Sequence, residues 1–451
     1  MMNNQSKEKI GVKFGMLIGL IILLMIPMTM IEELISERSN MQKQVQQEIA
    51  KSSSAQQRLV GPFIYVEYER DIERQSTVSV IKENTFLLPE KLNIHSALDT
   101  FEKFRSIYKA TLYRSNNTIS GVFKTSDLHI LKDHRVTSIS LVFGISDIRG
   151  IGLDSAVKIA GEDAKILPGT GVKRLKEGVH VPLERAHVFA SSELSFSADL
   201  HLQGMEKLAI SPLGRETRVS MTADWPHPSF VGAYLPITSN INGDEFSANW
   251  QASYFSTNMQ STFESCILRS ECGELTERTM GVALVDPVDH YLKSHRAVNY
   301  ALLVILLVVA SFFLLELVRD EPIHPVQYGF VGLALAIFYL LLISLSEHLG
   351  FGLAYVISSF AATGLLGWYV SGVLKSGVMG GYYFAGLIML YSLLYGMLGA
   401  EDYALLMGSL MCFIVLSLVM ILTRKVNWYG SAKLNKKRDQ QVSDPSIDEI
   451  E

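Results

Sequence analysis

Charged side chains are nearly missing from residues 297–422, whereas residues 32–296 have the composition of an ordinary globular protein. The whole chain of 451 residues is 48% hydrophobic, and its mean hydropathy is +0.23. So long a stretch with so little charge excludes a wholly water-soluble protein. The sequence therefore indicates a membrane protein with one large soluble domain.

Catalytic and nucleic-acid-binding signatures are also missing. The H-E-x-x-H, G-x-S-x-G, P-loop and C-x-x-C patterns do not occur. His180, His187 and His201 are too scattered to suggest a metal site. The net charge is only -5 and the soluble part has no basic stripe, so no nucleic-acid partner is expected. We expect no metal, no cofactor and no enzymatic activity.

Six apolar runs are long enough to cross a bilayer core of about 30 Å. The first, 14–31, follows three lysines and precedes two glutamates with no cleavage site, so we interpret it as an uncleaved anchor. The other five are joined by short turns, which predicts a bundle of antiparallel helices. They cover residues 297–318, 326–345, 351–370, 378–398 and 403–422.

The distribution of lysine and arginine predicts the orientation of these spans. If the N-terminus is cytoplasmic, eleven basic residues lie inside, while the outer turns 346–350 and 399–402 contain none. Both termini would then be cytoplasmic and residues 32–296 would lie outside. The eleven residues are Lys7, Lys9, Lys13, Arg319, Lys375, Arg424, Lys425, Lys433, Lys436, Lys437 and Arg438.

The soluble part changes its periodicity once along the chain. Residues 32–57 have loose helical spacing, which predicts a helical stalk, whereas segments such as FIYVEYER and TVSVIKENTFLL alternate with period two. Asn116-Asn117 is expected to form a turn between two strands, because Asn tolerates positive φ. Many strands without a long amphipathic helix among them predict an antiparallel sandwich.

The predicted fold class is thus a membrane α+β protein with six transmembrane helices and a large, all-β, sandwich-like domain. An N-terminal anchor and a C-terminal five-helix bundle would provide the six spans. The predicted organisation is 1–31 for the N-terminus and anchor, 32–57 for the stalk, 58–296 for the β-rich domain, 297–423 for the bundle and 424–451 for a cytoplasmic, basic and disordered tail.

The stretch WPHPSF holds two candidate residues, Trp225 and His227. Each precedes a proline, which disfavours the α conformation and makes both extended at the end of a strand. We expect Trp225 to turn into the core. His227 has no Cys, His or acidic partner at metal-ligand spacing, so we interpret the stretch as a structural corner, with a binding loop as the alternative.

The membrane part offers candidates at its helix ends. Ionisable groups there usually meet water or headgroups, but a proton-linked or docking role is the alternative. The candidates lie in the two outer turns and are Glu347, His348, Glu401 and Asp402. Small residues at four-residue spacing in the first span would let another helix approach closely and would allow an oligomer; these are Gly11, Gly15 and Gly19. Chance glycines in an apolar run are the alternative.

The three cysteines fall into two groups. Cys266 and Cys272 are expected to form a disulfide, because the predicted topology places them in an oxidising compartment. Two free thiols in a mobile insertion are the alternative. Cys412 lies in an apolar run and is expected to be a small core residue.

Ser155 and Lys158 match the S-x-x-K pattern of penicillin-recognising serine enzymes. No convincing S-D-N or K-T-G partner follows them. A four-residue match with two free positions is expected by chance, so this pattern only weakly indicates a hydrolase.

Several longer motifs resemble those of the CreD family of inner membrane proteins in Gram-negative bacteria, which is associated with cell envelope integrity. The resemblance covers nearly the whole chain and implies control by an envelope-stress two-component system, with links to colicin tolerance and β-lactam susceptibility. It implies no catalytic residue, and the cysteine pair is not part of it. The motifs are LVGP at 59–62, DIRGIG at 147–152, PGTG at 168–171, GVHVPL at 178–183, WPHPSF at 225–230, HPVQY at 324–328 and LSEHLGF at 345–351.

Two functions from different classes remain open. The first is a non-enzymatic scaffold or sensor whose sandwich binds an envelope protein or cell-wall component, which the lack of a catalytic constellation favours. The second is a transporter or lipid-handling protein that uses the five-helix bundle in the lipid bilayer. A hydrolase acting through Ser155 is a weaker third hypothesis.

The topology makes a direct prediction. Reporter fusions after Lys43 and after Arg424 should give opposite readouts, because the positive-inside rule places these positions on opposite sides of the membrane. An alkaline phosphatase and a fluorescent-protein reporter at each position measure this. Equal readouts at the two positions would contradict the six-span topology.

Overall fold

The computed structural model describes residues 5–74, 77–269, 271–286, 290–319, 323–399 and 404–424. The chain divides into two compact units. The helical unit comprises Met1–Met41 and Val288–Glu451, and the β-rich unit comprises Gln42–Pro287. The chain is a membrane protein of the α+β class, as the sequence predicts.

The β-rich unit contains two eight-stranded sheets. One sheet has the order β13-β16-β11-β1-β5-β9-β8, with β2 paired to β1, and the other has the order β14-β15-β12-β3-β4-β10-β6-β7. The strands are β1 Gln57–Arg74, β2 Thr77–Leu87, β3 Lys91–Arg105, β4 Tyr108–Phe123, β5 Arg135–Ile145, β6 Ala156–Ile159, β7 Glu162–Ala164, β8 Leu167–Pro168, β9 Gly178–Pro182, β10 Leu194–Met205, β11 Lys207–Ser211, β12 Glu216–Ala223, β13 Pro228–Gly232, β14 Thr238–Asn242, β15 Glu245–Ser253 and β16 Met280–Leu284.

One apolar core holds the two sheets together. Ile64 of β1 and Phe143 of β5 come from one sheet, while Ile94 of β3 and Trp250 of β15 come from the other, and all four are buried in the same cluster. Burial alternates along β3 and β10 because successive side chains of a strand point to opposite faces. This alternation is the signal that allowed the sandwich to be predicted.

The sandwich is not purely antiparallel, which corrects the prediction. β1 pairs in parallel with β11, and β3 pairs in parallel with β12. Parallel neighbours need a long connection, and here more than a hundred residues separate the members of each pair. Alternation along a strand reveals its buried face but not the direction of its neighbour.

The predicted turn at Asn116-Asn117 is wrong, because both residues lie in the middle of β4. Asn117 is buried, and both the nitrogen and the oxygen of its side-chain amide are hydrogen-bonded. Its amide nitrogen donates to the carbonyl of Leu200 at 2.9 Å, and its amide oxygen accepts from the hydroxyl of Ser96 at 2.8 Å. A buried amide with these partners is compatible with a strand interior.

Helices form the other unit and small parts of the β-rich unit. They are α1 Gln5–Ser52, α2 Arg185–Phe189, α3 Tyr254–Thr257, α4 Met259–Glu264, α5 Gly273–Glu277, α6 His290–Asn299, α7 Ala301–Arg319, α8 Pro325–Leu349, α9 Phe351–Val373, α10 Gly377–Gly399 and α11 Ala404–Thr423. The predicted anchor and the predicted stalk form one unbroken helix, α1. Residues 254–277 are mostly helical, which the sequence analysis did not predict.

The membrane-spanning character rests on length and composition. Among the described residues, four helices are long and apolar enough to cross a membrane, and α6 with α7 makes a fifth if this pair, bent by 46°, is one span. The second predicted span, 297–318, covers the end of α6 and most of α7. Cys412 is exposed on α11, which corrects its expected place in the core. Glu401, Asp402 and the tail after 424 lie outside the described residues.

The chain crosses from one sheet to the other at WPHPSF, between β12 and β13. Trp225 is half-buried against the sandwich core, and its indole nitrogen donates to the carbonyl of Val285 at 3.1 Å. His227 is exposed. The tryptophan therefore turns toward the core but is less buried than the sequence suggested.

Trp225→Ala should lower the free energy of unfolding by about 2–3 kcal/mol, less than the ~3–5 typical of a fully buried aromatic, because the ring is half-buried. His227→Ala should change it by less than about 0.5 kcal/mol. Denaturant titration of the purified protein, followed by tryptophan fluorescence at the remaining sites and by circular dichroism, measures both. A larger loss for His227→Ala than for Trp225→Ala would contradict the corner interpretation.

Candidate functional site

The first helix is the element that both units share. Its N-terminal part packs in the helical unit through Leu24, Met28 and Ile35, all buried. Its C-terminal part packs in the β-rich unit, where Ile49 and Ala50 contact a small cluster on the sheets.

A polar cluster holds the C-terminal end of α1 within the β-rich unit. The guanidinium of Arg149 donates to the backbone carbonyl of Lys51, which is in the last turn of the helix. Asp147 accepts from the backbone nitrogen of Ala55 at 2.9 Å, just beyond the helix. The last carbonyls of a helix have no partner inside it, so these contacts supply one. We call Ser54, Gln57, Asp147, Arg149 and Gly150 the helix clamp.

Hydrogen bonds of the buried Gln57 side chain connect the residues of the clamp to one another. The amide nitrogen of Gln57 donates to Ser54 Oγ and to the backbone carbonyls of Asp147 and Gln203, each at 2.9 Å. Gly150 leaves the space for this arrangement, because a Cβ there would overlap the Gln203 carbonyl and come within 2.5 Å of the Gln57 amide. The DIRGIG motif therefore has a structural reason for its glycine at this place.

An ion pair organises the clamp. Arg149 Nε donates to Asp147 Oδ1 at 2.8 Å and Nη2 donates to Oδ2 at 2.6 Å, a two-point contact. The hydrogen bonds from Arg149 lower the pKa of the Asp147 carboxyl, with further lowering from the Ala55 backbone. Such bidentate pairs are more specific in geometry than single contacts. Sequence reasoning missed this pair; its only signal was that DIRGIG is one of the motifs that carry the family resemblance.

A second polar cluster lies at the end of α8 within the helical unit. Tyr291 of α6 donates its hydroxyl to Glu347 Oε1 at 3.0 Å, and Arg38 Nε of α1 lies 3.8 Å from the same oxygen. The Glu347 side chain is 13% exposed, whereas His348 is exposed. The structure thus separates the two predicted residues, and Glu347 joins three helices at one point.

The remaining candidates are spread over the molecule. Cys266 and Cys272 have their sulfurs at bonding distance and their Cα atoms 4.2 Å apart. Gly15 and Gly19 of α1 face open space, since nothing lies within 4 Å of an added Cβ, and Gly11 lies on the same helix. Among the described residues no group of His, Cys, Asp and Glu is arranged to hold a metal ion.

The S-x-x-K pattern does not form a nucleophile at the start of a helix. Ser155 precedes the short strand β6, and its Oγ accepts from the backbone nitrogen of His201 at 3.2 Å. Lys158 is paired with Asp163 at 3.9 Å. The helical geometry that such enzymes use to activate the serine is therefore missing here.

The helical unit has several helices long and apolar enough to cross a membrane, and the β-rich unit has two eight-stranded sheets. Together they define a multi-pass membrane protein with a large β-rich unit. The family model described as inner membrane protein CreD matches residues 9–429. The chain is also 33% identical over 405 residues to the inner membrane protein CreD of Escherichia coli strain K12, covering 88% of this chain and 89% of that protein. The chain therefore belongs to the CreD family of inner membrane proteins.

Solved structures add little to this assignment. An M1 zinc metallopeptidase variant from Deinococcus radiodurans aligns with a TM-score of 0.20 at 9% identity, over 37% of this chain and 38% of that one. The same enzyme bound to a Tyr-Ser-Ala substrate aligns with a TM-score of 0.18 at 11% identity, over 37% and 39%. Overlaps at such scores do not establish a shared fold.

The clamp should make the end of α1 sensitive to acid. A folded-state pKa below the ordinary Asp value gives stability above about pH 3.9, and this stability is lost as the pH falls through the lowered folded pKa. Asp147→Asn should remove that pH dependence and raise hydrogen–deuterium exchange at residues 50–58 already at neutral pH. Asp163→Asn, at an exposed position, is the control and should behave like the wild type.

Gly150→Ala should destabilise the clamp by about 1–3 kcal/mol, because the added methyl overlaps backbone and amide atoms. The same exchange experiment measures it at residues 50–58. Unchanged exchange in both Gly150→Ala and Asp147→Asn would show that the clamp does not hold the helix end.

Glu347→Gln should lower the free energy of unfolding of the helical unit by about 1–2 kcal/mol. The reason is that a neutral amide is a weaker hydrogen-bond acceptor for Tyr291 and a weaker partner for Arg38 than the carboxylate, which is only 13% exposed. His348→Ala is the matched control on the neighbouring position and should have little effect, because His348 is exposed. Unfolding by sodium dodecyl sulfate in mixed micelles gives both values. Equal effects of the two substitutions would argue that the Glu347 cluster is merely solvated.

Proposed function

We propose that this protein is a non-enzymatic scaffold or sensor that supports the integrity of the cell envelope. In this proposal the β-rich unit lies in the periplasm and binds an envelope protein or a cell-wall component. Both termini lie in the cytoplasm, as the charge distribution predicts. The links of the family to colicin tolerance and to β-lactam susceptibility describe the expected phenotypes.

The observation that carries this proposal is the sharing of α1 between the two units. One helix of 48 residues is held by the Glu347 cluster in the helical unit and by the helix clamp in the β-rich unit. A sensor needs an element whose position depends on what a binding domain does and that membrane helices can read. A continuous helix with both parts anchored meets that requirement, whereas a flexible linker would not.

Breaking the clamp without breaking the fold tests the proposal. In a strain that lacks the chromosomal copy, Arg149→Gln should reach the membrane in normal amounts and lose at least about half of the protection against envelope stress. The stress can be a colicin or a β-lactam, and survival is the readout. The physical reason is that the carbonyl of Lys51 and the carboxyl of Asp147 lose the side chain that joins them.

Lys51→Gln is a matched control for this experiment. It changes an exposed charge beside the clamp, while Arg149 contacts only the backbone of residue 51. This variant should protect the cells like the wild type. If Arg149→Gln raised exchange at residues 50–58 but left protection complete, the clamp would play no part in function and the sensor proposal would lose its support.

A lipid-handling function or a transporter is the second candidate, and one observation favours it. An apolar cavity of about 360 Å³ lies between α1 and α8, within the helical unit, and is lined by Met16, Leu20, Leu23, Pro325 and Tyr328 among others. Its size and composition suit part of an acyl chain.

Filling the cavity separates this candidate from the first. Gly19 also lines the cavity and has open space around it, so Gly19→Leu should occupy part of the volume without a clash. Native mass spectrometry should then show fewer retained phospholipids if the cavity handles lipid. Normal envelope protection by Gly19→Leu would leave the scaffold or sensor as the better explanation.

A further inference from the structure

The strand β14 forms one end of its sheet and is fully exposed. It pairs with β15 on one side, and none of the described residues pairs with its other side. All five of its residues are exposed. Its outward edge therefore presents backbone groups that can form a ladder with another strand.

Three short strands at the ends of the sheets carry the usual protection against such pairing. β7 is three residues long and bears Glu162 and Asp163, and β8 is two residues long and ends in Pro168. β13 begins with Pro228. Charge, proline and shortness all disfavour a foreign strand. By contrast, β14, with the sequence TSNIN, contains neither a charge nor a proline, although it is no longer than β13.

An uncovered apolar row runs along the same strand. Ile241 is opposite Phe246 of β15, and Phe246 is buried in the sandwich core. Ile237 directly precedes β14 and is four residues from Ile241, so alternation places both on this core-facing side, yet they are 66% and 49% exposed. The nearby Leu235 is 71% exposed. The apolar face of the sheet thus continues past the point where the core stops covering it.

Two isoleucines of this segment are placed symmetrically about one residue. Residues 237–241 read Ile-Thr-Ser-Asn-Ile, with Ser239 at the centre. If two such strands pair antiparallel about Ser239, Ile237 of each lies opposite Ile241 of the other, and Thr238 lies opposite Asn240. Apolar and β-branched residues directly opposite each other stabilise an antiparallel pair. An isologous contact of this kind is what a two-fold symmetric dimer requires.

We propose that β14 pairs antiparallel with β14 of a second copy of this chain, so that two β-rich units share one extended sheet. The pairing covers Ile237 and Ile241 of both copies and satisfies the free edge. An edge strand without charge, exposed isoleucines on the core-facing side and their symmetric placement about Ser239 all fit the same partner. This inference is independent of the proposed function and of any contact through the glycines of α1.

Disulfide crosslinking in native membranes tests the pairing in the full-length chain. Ser239→Cys in a Cys412→Ser background should form a covalent dimer on mild oxidation, because residues opposite each other in an antiparallel pair have Cα atoms about 4.5–5.5 Å apart. Asp244→Cys, exposed in the adjoining turn, is the matched control. It lies five residues from the two-fold axis, so its copies would be about 30 Å apart and should not crosslink.

A second pair of variants guards against chance collisions. In the Ser239→Cys background, Ile241→Lys should reduce the covalent dimer at least about fivefold, because it places a charge on the shared edge, whereas Ile241→Val should retain it. Equal crosslinking of Ser239→Cys and Asp244→Cys, or no effect of Ile241→Lys, would overturn the proposal. A crosslink from Ser239→Cys to a different protein in place of the dimer would also overturn it, since the edge would then have another partner.

Discussion

The last backbone carbonyls of α1 need hydrogen-bond partners, and this architecture depends on meeting that need. The final carbonyls of any helix lack partners within the helix, and here that end packs with Ile49 and Ala50 against buried residues of the sheets. Arg149 supplies a donor to the Lys51 carbonyl, and Asp147 holds the guanidinium by two hydrogen bonds. Because the helix end is held in this way, a single helix can serve as part of the sandwich.

The other half of α1 packs among apolar helices. In a lipid bilayer the hydrophobic effect does not drive such helices together, because the lipid tails are as apolar as the helices. Close approach of the helices then provides the stabilisation. Gly332 of α8 allows it, because a Cβ there would overlap the side chain of Leu24. The polar contacts of Arg38 and Tyr291 with Glu347 add a specific, directional interaction between helices whose surfaces are otherwise apolar. In the helical unit, α1 packs closely against Gly332. In the β-rich unit, its end is hydrogen-bonded to Arg149 of the helix clamp.

Periodicity was sufficient to predict the major elements of the fold. The apolar runs predicted the helices α8, α9 and α10 to within a few residues, and alternation predicted the sandwich. Strand direction and the length of β4 could not be predicted, because Asn117 looks like a turn residue until its buried partners are known. The clamp was missed for a related reason. Asp147 and Arg149 are two residues apart, and nothing in that spacing reveals that the end of a helix lies beside them.

The contrast between Glu347 and His348 shows why sites at membrane helix ends resist prediction. On α8, Glu347 is four residues from the buried Ile343 and so shares its face, whereas His348 is seven residues from the exposed Leu341 and shares that one. In a soluble helix an apolar stripe would have told these faces apart. In a bilayer both the face toward lipid and the face toward protein are apolar, so the sequence has no stripe to read. Only the packing of α1 and α6 decides which polar side chain becomes part of the structure.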